Sequence, residues 1–72
     1  MNIDDLTEIN ESQLTAQHGK YRAVLLIDSG LYQIGKDTDL KTANRLCDVQ
    51  PEGSLVQIYS DLGLPKRSTL GQ

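Results

Sequence analysis

The sequence predicts a small α+β domain: a ββαβ chain whose three-stranded sheet has the order 2-1-3, with one packed helix and an optional short N-terminal helix. Three observations lead to it. Tyr21–Ile27 and Leu31–Ile34 are strand-forming runs separated only by Asp28-Ser29-Gly30, a turn sequence. From Asp37 the apolar period becomes that of one helical face, with Leu40, Ala43, Leu46 and Cys47. After Pro51-Glu52-Gly53, Leu55, Val56, Ile58 and Tyr59 make a third extended run.

The elements follow in chain order. Residues 1–20 read as an arm or a short amphipathic helix. Ile3, Leu6 and Ile9 are spaced three apart, and Asn2 or the acids after it suit a helix start. Residues 21–63 form the core domain. Its Asp28-Ser29-Gly30 turn offers a carboxylate that can bond its own backbone and a glycine that takes positive φ cheaply. The helix is expected to start on Asp37 or Thr38 as N-cap and to end before Pro51, which disfavours helix at Gln50. Asp61-Leu62-Gly63 reads as a turn. Residues 64–72, with Leu70 the one large apolar group after Pro65, read as a flexible C-terminal tail that can be removed without loss of stability.

The sheet order rests on hydrophobicity. The Tyr21–Ile27 run is the most apolar, and the centre of a sheet is its most buried place. That choice creates a mismatch. Ala23, Leu25 and Ile27 face one way, Val24 and Leu26 the other. One short helix covers only one face. The second must be covered by the N-terminal segment, by a second copy in a two-fold dimer, or by another protein. Covering it contributes several kcal/mol, comparable with the whole stability of a domain this small.

Length and composition narrow the function classes. A chain of 72 residues is one domain at most, and it buries only roughly 60% of its unfolded surface. A single cysteine, Cys47, excludes an intrachain disulfide, and with the single histidine, His18, it falls short of a four-ligand zinc site. The unpaired thiol and the acidic first twenty residues, which resemble no signal peptide, point to the cytoplasm. The longest wholly apolar run, Ala23–Ile27, is far short of a membrane helix. The net charge of −3 argues against a free-standing nucleic-acid binder and favours a basic partner slightly.

No motif carries catalysis. Ser29 beside Asp28 has no nearby histidine and no Gly-x-Ser-x-Gly frame, so turn chemistry explains it. Cys47 on the apolar helix face reads as a small buried hydrophobe. His18 in a polar stretch reads as solvated. Asp4/Asp5 and Asp37/Asp39 match no calcium loop, and helix capping explains them better. The glycines form no phosphate loop. No metal and no cofactor is expected.

The function expected from the sequence is therefore a small non-catalytic protein-binding regulator, adaptor or inhibitor, acting through an apolar sheet face and an acidic surface. Its partner is another protein or a second copy of itself. Candidate partner-binding residues are Val24 and Leu26 on the uncovered face, Tyr32 and Tyr59 as interface-favoured aromatics, and Ile3 and Leu6 on the arm. Small acidic proteins of this element order occur among phage and mobile-element products that bind host enzymes, an analogy at fold level only. The alternative is a nucleic-acid-binding module with a local basic face from Lys20, Arg22, Lys36, Lys41 and Arg45, helped by Lys66 and Arg67 of the tail as phosphate or docking contacts.

Overall fold

A computed structural model of the chain describes residues 6–69. The expected positions of Ile3, Asn2, Asp4, Asp5 and Leu70 lie outside these residues. The described chain runs β1 (Leu6–Ile9), a single 3-10 turn (Glu11–Gln13), β2 (Tyr21–Ile27), β3 (Gly30–Thr38), α1 (Leu40–Asp48), β4 (Leu55–Tyr59) and β5 (Pro65–Ser68). The strands form one sheet in the order β1-β3-β2-β4-β5, with every neighbouring pair antiparallel. The α+β class stands, but the three-stranded sheet is corrected to five strands. The arm from Leu6 to Ile9 is an edge strand rather than a helix, and residues 65–68 are the other edge rather than a trailing tail.

The apolar β2 lies at the centre, between β3 and β4. Its turn to β3 is tighter than the sequence suggests. Ile27 pairs with Gly30, so the loop is the two residues Asp28 (φ 48) and Ser29 (φ 70), both left-handed. This is the arrangement of a type I′ turn, whose twist matches that of the flanking strands. Gly30 serves another purpose. A Cβ there would lie 3.1 Å from Tyr32 Cε1 and 3.2 Å from the Ile27 carbonyl.

β3 extends past Gly35, where the sequence suggested it would stop. Between the Ala23–Ile34 and Tyr21–Thr38 pairs, β3 spends more residues than β2, which is a bulge. Gly35 sits in it at φ 67, and Leu46 of α1 packs 3.3 Å from where its Cβ would be. The positive φ favours glycine there, and an added Cβ would also press on the end of the Leu46 side chain. The expected cap is corrected as well. Asp39, not Asp37 or Thr38, caps α1, its carboxylate accepting from Thr42 N at 2.7 Å.

Two crossovers cover the two faces. The connection from β3 through α1 to β4 passes over one face. There Ala43 and Cys47 of α1 pack on Ala23, Leu25, Ile34, Val56 and Ile58, with Leu6, Tyr21 and Leu46 at the margin. The connection from β1 to β2, residues 10–20, passes over β3 on the other. Of the three covers expected for the second face, the N-terminal segment supplies much of the cover, as this strap rather than as a helix. Val24 is 2% exposed and Ile9 is buried. The strap itself contributes little apolar material: Ala16 is buried, Leu14 is half-buried and its other residues are exposed.

Polar contacts hold the strap down. Asn10 and Gln13 form a capping box around the 3-10 turn. Ala16 N donates to Ser60 O at 3.1 Å, and Gly19 N to Asp61 Oδ2 at 2.7 Å. At the centre, Asp37 accepts from Arg22 Nε (2.7 Å), Arg22 Nη2 (2.8 Å), Gln17 N (2.8 Å) and Gln33 Nε2 (2.9 Å). Arg22 also donates to Gln13 O. The hydrogen bonds from Arg22, chief among these contacts, hold the Asp37 carboxyl below the ordinary carboxylate range.

Candidate functional site

The expected partner-binding residues do not form one surface. The strand pairs put Val24, Leu26 and Tyr59 on the strap-covered face. Tyr32 and Leu6 lie on the helix face, opposite Leu25 and beside Ile34. The two tyrosines therefore share no platform. Tyr59 is half-buried, and its hydroxyl donates to Gln57 Oε1. Val24 is fully covered and cannot meet a partner without the strap moving. Ile3 lies outside the described residues.

The basic candidates divide too. Arg22 is consumed by Asp37. Arg67 turns onto α1, where Nη1 lies 2.8 Å from Asp48 Oδ1 and 3.2 Å from both Asn44 O and Asn44 Oδ1. Lys66 is exposed. Two of the arginines expected to face phosphate thus hold the domain together.

His18 precedes the start of β2 and Asp28 follows its end. Their separation is on the order of 20 Å by strand rise. The His18 imidazole is fully exposed, with Nδ1 3.6 Å from Asp61 Oδ2. Cys47 is buried under α1, and desolvation pushes its thiol pKa up, away from the thiolate that chemistry needs. Among the described residues, no three of His, Cys, Asp and Glu gather to hold a metal ion.

A concave apolar site lies at the hairpin end of the sheet. A cleft of about 690 Å³ opens between the end of β2, the C-terminal end of α1 and the start of β4. Leu6, Leu25, Leu26 and Ile27 line it from the sheet, and Val49, Pro51 and Leu55 from the helix end and β4. Three of these are large apolar groups that folding leaves in water: Ile27 at 40%, Val49 at 60% and Leu55 at 41% exposure. Asp28 sits in the wall.

The local sequence explains the cleft. Val49 is the C-cap residue of α1, its N–H closing on Arg45 O at 3.1 Å, and Pro51 prevents another helical turn. The chain must then turn through Gly53 (φ 90) to enter β4. α1 therefore ends short of covering Ile27 at the tip of β2, while Leu55, paired with Leu26 on the opposite face, stays open at the start of β4. Of the expected binding residues, Leu6 and Leu26 line this cleft; Ile27, Val49 and Leu55 were missed. The signal that could have found Val49 is its place: a valine between helix stop and proline has no core to face.

No helix among the described residues is long and apolar enough to cross a membrane. Compared with known proteins, the chain matches no family model, no curated protein and no solved structure.

Proposed function

We propose that this chain is a small non-catalytic protein-binding module, a regulator, adaptor or inhibitor, whose binding surface is the apolar cleft at the hairpin end of the sheet. One observation carries the reading: Ile27, Val49 and Leu55 stand exposed around a concave space of about 690 Å³. A concave apolar site with a few polar groups at its rim is the usual form of a recognition site. Removing those side chains from water stabilises a complex at roughly 25 cal/mol per Å² before ordering costs. Asp28 in its wall suits an apolar segment that carries a base. The buried, unpaired Cys47 thiol fits a reducing compartment, so the module is assigned to the cytoplasm. The nucleic-acid alternative draws less support, since Arg22 and Arg67 are both engaged in ion pairs.

The test is affinity capture from host lysate with the wild-type chain and with Val49→Asp as paired baits. A protein retained by the first and lost by the second is expected. An identical set retained by both would remove the cleft as the binding surface.

A further inference from the structure

The end of the molecule opposite the cleft carries the converse shape. Between β4 and β5, Leu62 is 77% exposed and Leu64 is 54% exposed, with only Gly63 between them. This is a fixed turn. Ser60, buried at 6% exposure, accepts on its hydroxyl from Leu62 N (3.1 Å) and Leu64 N (3.2 Å). Its N–H donates to Leu64 O at 3.0 Å, and its carbonyl accepts from Gly63 N at 3.0 Å. Asp61 ties the same turn to the strap through Gly19 N. Two leucines are thus held in water on a braced loop, so little ordering remains to be done on binding.

β4 separates this knob from the cleft. Leu55 lies at the cleft and Ser60 follows Tyr59 at the other end, about 17 Å away by strand rise. Charge divides along the same axis. Asp28 lines the cleft, and Glu52 is exposed between the lining residues Pro51 and Gly53. Lys66 is exposed two residues beyond Leu64, and Lys20 is exposed on the strap where Gly19 meets Asp61. Two counter-charges stand at that end: Asp61, half-buried and already accepting from Gly19, and the exposed helix cap Asp39, which faces Lys41 and Lys20.

We propose that the occupant of the cleft is a second copy of this chain, which inserts its Leu62–Leu64 turn between Ile27, Val49 and Leu55, with Lys66 and Lys20 facing Asp28 and Glu52. The inference rests on the cleft being a binding surface and names what fills it. The knob and the cleft are different patches, so the contact is heterologous. It joins copies head to tail and continues into a ring or an open chain rather than stopping at a two-fold dimer.

Sedimentation of the purified full chain from micromolar to near-millimolar concentration tests it. The wild-type weight-average mass should rise with concentration above the 8.0 kDa of one chain, and the rise should weaken with added salt. Leu62→Asp loses the knob and keeps the cleft; Val49→Asp loses the cleft and keeps the knob. Each alone should stay at the mass of one chain. Mixed in equal amounts, they should form a complex of twice that mass and grow no further. Circular dichroism melts check that both fold, and Leu55→Asp replaces Val49→Asp if the latter does not. A wild type that stays monomeric, a Leu62→Asp chain that associates like wild type, or a mixture that forms no dimer overturns the proposal. A monomeric wild type whose capture of another protein is lost in Val49→Asp refutes self-association and leaves the cleft reading standing.

Discussion

Replacing Asp37 by alanine tests whether the strap is held by the Arg22–Asp37 pair. Asp37 has a side chain 3% exposed, that of Arg22 is 16% exposed, and the carboxylate accepts from four donors. Removal leaves a largely covered guanidinium and the Gln17 N–H without their acceptor. Breaking a buried ion pair costs about 3–5 kcal/mol. Arg22 keeps Gln13 O and some access to water, so the low end, about 3 kcal/mol, is expected. A domain of this length is stable by only about 4–11 kcal/mol. At about 4–8 °C per kcal/mol, the melting temperature should fall by about 12–24 °C at neutral pH. The pH dependence carries the same signature. Hydrogen bonds from Arg22 lower the folded pKa of Asp37. The stabilisation is then complete above the unfolded value of about 3.9 and is lost as pH falls through the lower folded value. Wild type and Asp37→Ala should therefore converge in strong acid. A neutral-pH melt of the variant within about 4 °C of wild type would falsify this account, since that is the contribution of an ordinary surface salt bridge, about 0–1 kcal/mol.

Three further outcomes are expected. Ser29→Gly should raise the melting temperature by about 4–8 °C, or about 1 kcal/mol, because Ser29 holds φ 70 in the hairpin turn, a conformation costing an L residue about 1–2 kcal/mol; a lowered melting point would show that the turn is not strained. Deleting residues 66–72 should lower the urea midpoint by the equivalent of at least about 3 kcal/mol, taking about 1 kcal/mol for each lost bond. The bonds are Thr69 N to Val56 O, Val56 N to Thr69 Oγ1, and those of Arg67 to α1. An unchanged midpoint would mean that β5 contributes nothing. The buried Cys47 thiol, its pKa pushed up by desolvation, should react with an aromatic disulfide reagent only as fast as the domain opens. Rapid stoichiometric labelling of the native chain would contradict that burial.

By itself the sequence determined the parts whose cause is local. Tyr21–Ile27 is an apolar strand, Leu40–Cys47 has an apolar face at helical spacing, and Asp28-Ser29 sits where the chain must reverse. Each of these needs only its own residues. Tertiary structure decided the rest. Leu6–Ile9 is four residues, half of them polar, Pro65–Ser68 is four residues and mostly polar, and neither would form a strand alone. Each becomes one because β3 and β4 offer unpaired backbone groups that must be satisfied. Asp37 resembles a helix cap by its neighbours and is instead the acceptor for Arg22, fifteen residues away. The same reason moved the candidate site. Which apolar residues remain in water depends on where the strap and the end of α1 come to rest, and those positions are set by contacts between residues far apart in the chain. Val24 therefore lies covered, and Val49 and Leu62 are left open.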